Sequence, residues 1–91
     1  MTTPLRLPSM VRTRIVPSNR PGDVLERVGW LTPYMAETIG QAAQRSGPGA
    51  RLEVIVPDSA DAGEVSAVQA LFAWLPGKGI AVTVLREREA G

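Results

Sequence analysis

The fold is decided by the stretch RLEVIVPDSADAGEV, residues 51–65. Its first six residues alternate so that Leu52, Val54 and Val56 share one face, which is typical of a half-buried β-strand. The segment 61–64 then has the pattern of a capping box, because an aspartate at the cap position is followed three residues later by a glutamate that can reach back to the cap N–H. A strand that leads within a few residues into a helix indicates an α/β protein.

The chain downstream of this stretch continues the helix and closes the sheet. An apolar stripe at helical spacing predicts a helix that ends at residues 76–77, Pro-Gly, and consists of Val65, Val68, Phe72 and Leu75. Residues 80–85 alternate again and predict a further strand, with Ile80, Val82 and Val84 on one face. Residues 87–91 are predicted to form a charged tail.

The chain upstream begins with residues 1–9, predicted as an arm or, at residues 5–7, a short strand. Residues 11–16 alternate, with Val11, Thr13 and Ile15 on one face and Arg12, Arg14 and Val16 on the other. A loop follows at residues 17–22. From residue 23 the spacing of Val24, Leu25 and Val28 predicts a helix that breaks near Gly29 and restarts at Thr32-Pro33, a good N-cap and first helical residue, to run over 33–45.

The predicted order is therefore βαβαβ in one domain of 91 residues, with a core at 10–86. Helices between successive strands favour parallel pairing through right-handed crossovers. The alternating charged residues on the strands indicate that only one sheet face is covered. We expect a small two-layer sandwich with a mostly parallel sheet, helices on one face, and residues 51–56 as the middle strand.

The composition excludes several function classes. The chain contains neither histidine nor cysteine, so Ser-His-Asp and Cys-His nucleophiles, disulfides and thiolate or imidazole metal sites are absent. No catalytic residue, cofactor or metal is assigned, and enzymatic activity is left open. The sequence shows neither a secretory leader nor an apolar run long enough to cross a membrane, so we expect a soluble, cytoplasmic protein without a membrane partner.

A cluster of polar side chains follows the middle strand. Asp58, Ser59 and Asp61 are the candidate switch or ligand site, because open parallel sheets bind ligands beyond the carboxyl ends of their strands. Together with Glu64, the two aspartates offer the oxygens that Mg²⁺ or Ca²⁺ prefers. The alternative interpretation is an ordinary capped helix start. The Gly-Lys-Gly at 77–79 lies between a helix and a strand, the reverse of a phosphate-binding loop, and is predicted to be a turn.

The region around Ser59 resembles the STAS family, small cytoplasmic domains that include anti-sigma-factor antagonists. The resemblance rests on residues 52–59, LEVIVPDS, followed by a helix and a last strand after 77–79, and it spans the element order over about 10–86. In that family a serine in an Asp-Ser turn at a helix N-terminus is phosphorylated by a partner kinase. The resemblance implies a regulatory role in which Ser59 is the modified residue.

The missing catalytic residue types favour a non-enzymatic interaction or regulatory module that binds a protein partner or self-associates. The expected interface is the open sheet face, and its candidate residues are Arg12, Arg14, Val16, Ile55 and Leu85. One alternative is a small ligand-binding or accessory enzyme domain that uses Asp58, Ser59, Asp61 and Tyr34. A further alternative is nucleic-acid binding, because the first 20 residues carry four arginines and no acidic residue.

Overall fold

A four-stranded mixed sheet with helices on both faces forms the structure, a computed structural model that describes residues 7–8, 10–18 and 22–90. The protein is thus of the α/β class. In chain order the elements are β1 (Val11–Val16), β2 (Leu25–Gly29), α1 (Pro33–Arg45), β3 (Arg51–Val56), α2 (Ala62–Leu71), a turn of 3₁₀ helix (Pro76–Lys78), β4 (Ala81–Arg86) and α3 (Glu87–Ala90).

The strand order is β2-β1-β3-β4, and only β3 and β4 pair in parallel. Both pairings of β1 are antiparallel, with β2 on one side and β3 on the other. The predicted mostly parallel sheet is therefore wrong. The prediction that residues 51–56 lie between the first and last predicted strands is confirmed, because β3 separates β1 from β4.

The difference arises at residues 25–29, which form strand β2 where a helix was expected. Six residues between Gly22 and Gly29 are too few for a helix to be stable by itself, and a short apolar run fits either period. Pairing with β1 supplies backbone hydrogen bonds along the whole segment. The β1–β2 hairpin adds one chain reversal that the predicted order lacks. As a result, β1 runs antiparallel to β3.

The core lies between the sheet and the helices α1 and α2. Phe72, Leu52 and Leu75 are its largest fully buried side chains, and α1 contributes Ala36, Ile39 and Ala43. Helix α1 begins as predicted, with the Thr32 Oγ1 accepting from the Met35 N–H at 3.1 Å and Pro33 in the first turn. None of the helices in residues 7–8, 10–18 and 22–90 is long and apolar enough to cross a membrane.

The chain after β4 folds back as α3 instead of forming the predicted charged tail. The Glu89 carboxylate accepts from the Arg86 N–H at 3.3 Å, which starts the turn. Helix α3 contacts β3 and β4, and it lies on the face opposite α1 and α2, over Ile55. The strand predicted at residues 5–7 lies outside the described residues except for Leu7, which packs against the core.

Candidate functional site

The loop after β3 holds the predicted switch site, and both of its aspartates have structural partners. Asp61 Oδ1 accepts from the Glu64 N–H at 2.8 Å, while Glu64 Oε1 accepts from the Asp61 N–H at 3.0 Å. This is the predicted capping box, now confirmed. Asp58 Oδ1 accepts from the Arg88 N–H at 3.1 Å.

Arg86 ties the same loop to the end of β4. Its Nη1 donates to the Asp58 carbonyl at 3.1 Å and to the Ala60 carbonyl. Ser59 is exposed between these two anchored residues. Within the described ranges, no group of three or more acidic side chains could hold a metal ion. The loop is therefore a braced helix start that presents one serine hydroxyl to solvent.

Tyr34 is not brought together with this loop. It lies in the first turn of α1 with three-quarters of its side chain exposed, just after the end of β2. The ends of β2 and β3 point the same way but are separated by β1, a spacing of about 10 Å for two strand intervals. The chain segments that carry Tyr34 and Ser59 therefore leave the sheet from strands that are not neighbours.

Two arginines of the basic N-terminal segment are paired with carboxylates on the open sheet face. Glu26 lies 3.6 Å from Arg12 Nε and 3.8 Å from Arg14 Nε, and Glu53 lies 3.3 Å from Arg14 Nη1. Because the acids come from β2 and β3, the basic stripe expected from the sequence becomes a mixed charge row. A nucleic acid would have to compete with these carboxylates for both arginines. Arg6 and Arg20 lie outside the described residues.

Val16, Ile55 and Leu85, the apolar residues among the five interface candidates, do not all lie side by side on the sheet. Ile55 pairs with Leu85 on one side but with Arg12 on the other, whereas Val16 pairs with Arg51 at the far end of β3. The antiparallel direction of β1 causes this separation. Ile55 is also only 3% exposed, because α3 covers it. The five candidate interface residues thus share a face without forming one apolar surface.

Three of the exposed large apolar side chains lie instead on the edge strand β2 or directly after it. Leu25, Val28 and Trp30 are 54%, 59% and 68% exposed, and we call these three residues the β2 surface. Val28 lies on the open face beside Arg12, and Leu25 lies on the helix-covered face beside Ile15. Met10 is also exposed. It precedes Val11, which pairs with Gly29, so Met10 lies at the same end of the β1–β2 pair as Trp30.

An apolar groove runs beside the β2 surface on the helix-covered side. It has a volume of about 210 Å³ and lies between β2 and α1, with Leu25, Ile15, Met35, Ile39 and Ala42 among its lining residues. Helix α1 therefore leaves β2 uncovered on that side. Since no helix covers Val28 on the opposite side either, the edge strand presents apolar side chains to solvent on both faces.

The β2 surface is not predicted by the sequence, because the spacing of Val24, Leu25 and Val28 indicates one side of a helix. A short run that ends in Gly29 and is followed by Trp30 was the available signal. Five residues is close to the usual length of a strand, and a possible hairpin partner, 11–16, precedes the run.

Comparison with known proteins adds no relative: no family model, no curated protein and no solved structure matches this chain.

Proposed function

We propose that this protein is a non-enzymatic interaction module that docks its partner through the edge of β2. The observation that carries the proposal is the exposure of Leu25 and Val28 on one edge strand and of Trp30 directly after it. An edge strand also presents backbone N–H and C=O groups that lack a neighbour in the sheet, which makes it a template for another strand. Apolar side chains beside such an edge supply the burial that backbone pairing needs.

The opposite edge of the sheet provides a contrast. Along β4, the exposed positions are Ala81 and Thr83, and the large apolar residues are half-buried. Small or polar side chains on an edge give a partner little area to bury. The two edges are therefore unequal, and the docking function is assigned to β2 alone.

The proposal predicts that a charge in the β2 surface abolishes partner binding. Tagged wild-type protein, Val28→Lys and Thr83→Lys are used to capture proteins from the lysate of the native cell, with quantitative mass spectrometry as the measurement. Both substituted residues are exposed on the open sheet face at opposite edges, so Thr83→Lys is the matched control. We expect a partner retained by wild type and Thr83→Lys and lost with Val28→Lys, because a desolvated ammonium replaces an apolar contact. Identical retention by the two variants would refute docking through β2.

A second candidate function is the phosphorylation switch that the STAS resemblance implies. It is favoured by the exposure of Ser59 in a turn immediately before the cap of α2, where a helix N-terminus attracts negative charge. Asp58 and Asp61 oppose a phosphate there, and Arg86 reaches the same loop. In the same capture experiment Ser59→Asp changes the retained partner if this switch operates. Unchanged retention removes the switch and leaves docking through β2 intact.

A further inference from the structure

We infer that the partner at the β2 surface is a second copy of this chain, whose β2 pairs antiparallel with the first to give a continuous eight-stranded sheet about a two-fold axis at Val28. This inference rests on the proposed function and names its partner. Closed two-fold symmetry is the commonest arrangement of identical chains, and it requires a surface that complements itself. The residues of β2 meet that requirement best in the register centred on Val28.

The symmetry restricts the registers that are available. A two-fold axis normal to the sheet keeps the helix-covered faces of both copies on the same side, so the axis passes through one residue that opposes itself. An axis at Glu26 sets two carboxylates side by side, and an axis at Arg27 sets two guanidinium groups side by side. Like charges directly opposite each other destabilise a strand pair. An axis at Leu25 or Gly29, the two ends of β2, would set four of its five residues against residues outside the strand. An axis at Val28 keeps three residues paired within the strand and sets two exposed apolar side chains against each other.

The remaining pairs in the Val28 register also fit. Arg27 opposes Gly29 of the other copy, a residue with no side chain to obstruct it, and within one chain the Arg27 guanidinium already extends over Gly29. Trp30 opposes Glu26 of the other copy. Because Glu26 lies beside both Arg12 and Arg14, the indole meets a neutralised carboxylate and two cations that favour an aromatic face.

The size of this interface sets the strength of association that we expect. Five strand residues and one tryptophan per copy bury less than the ~800 Å² per partner of a standard interface. We therefore expect a weak dimer that dissociates as the protein is diluted. In the dimer the two β2 strands pair with each other, so the edge strands of the extended sheet are the two copies of β4, whose exposed positions are Ala81 and Thr83.

Sedimentation equilibrium of the purified full chain at increasing concentration tests this inference. We expect the apparent mass of wild type to rise from the 9.7 kDa of one chain towards twice that value. Val28→Lys sets two ammonium groups against each other at the axis and should stay at one chain mass. Thr83→Lys, on the other edge, should associate like wild type.

A wild type that stays monomeric throughout, or a Val28→Lys variant that associates as strongly as wild type, overturns the inference. Circular dichroism melting of Val28→Lys confirms that its fold is retained, since the replaced side chain is mostly exposed. A second variant, Trp30→Ala, should weaken association without adding charge, and unchanged association would likewise count against this register. A monomeric wild type whose capture of another protein still depends on Val28 would overturn the second copy as partner while leaving the proposed function in place.

Discussion

Replacing Phe72 with alanine should lower the free energy of unfolding by about 3–5 kcal/mol, the range for removing a fully buried phenylalanine. Phe72 caps the C-terminal end of α2, is completely buried, and belongs to the cluster that joins both long helices to β3. Leu52 and Leu75 are equally buried in that cluster, and a rigid core fills only part of the cavity that truncation leaves. Urea unfolding followed by circular dichroism measures the effect.

The control for this experiment is Tyr34→Ala. Tyr34 is an aromatic residue of similar size that is mostly exposed on α1, so its loss should change stability by no more than about 0.5 kcal/mol. A loss of less than about 1 kcal/mol for Phe72→Ala would mean that the helix does not pack its apolar face on the sheet.

Replacing Ile55 with lysine should lower the free energy of unfolding by about 2–3 kcal/mol, the value for a buried aliphatic side chain that becomes exposed. Although Ile55 lies on the sheet face away from α1 and α2, α3 covers it almost completely. A lysine ammonium at this position has to reach water, which separates α3 from the sheet. Urea unfolding gives the stability change.

Removal of residues 87–91 isolates the role of α3 in that result. In the shortened chain Ile55 is already exposed, so Ile55→Lys should cost much less than in the full chain, and the difference is the coupling between Ile55 and α3. Thr83→Lys, an exposed position on the same face, should be nearly neutral in both backgrounds. Equal costs for Ile55→Lys with and without α3 would show that the helix does not protect this residue.

The parts of the fold that the sequence predicted correctly are those in which local chemistry and periodicity agree. The alternation in residues 51–56 and the capping box at Asp61 specify β3 and the start of α2 without reference to the rest of the chain. Thr32 and Pro33 specify the start of α1 in the same way. In each case one residue satisfies a backbone group or fixes a dihedral angle, so the prediction needs no knowledge of tertiary contacts.

Residues 25–29 could not be assigned in that way, because their conformation depends on pairing with another strand and not on a local signal. The pattern of Leu25 and Val28 fits a helix or a strand, and pairing with β1 decides between them. This one wrong assignment caused three further errors. Without strand β2, β1 was expected to run parallel to β3, Val16 was expected near Ile55, and the exposed residues of the β2 surface were not expected. Helix α3 was missed because Glu87–Ala90 is too short and too polar to be stable without the sheet beneath it.

The inference that a second copy of this chain docks on the edge of β2 is tested most directly by a single cysteine at position 28. The chain contains no cysteine of its own, so Val28→Cys and the control Thr83→Cys each carry one thiol. Opposed residues of antiparallel strands have Cα atoms about 4.5–5.5 Å apart, a separation that a disulfide spans without strain. Under mild oxidation at micromolar concentration, Val28→Cys is predicted to form a disulfide-linked dimer roughly tenfold faster than Thr83→Cys, because docking raises the local thiol concentration. Equal, slow cross-linking of the two variants would contradict the account.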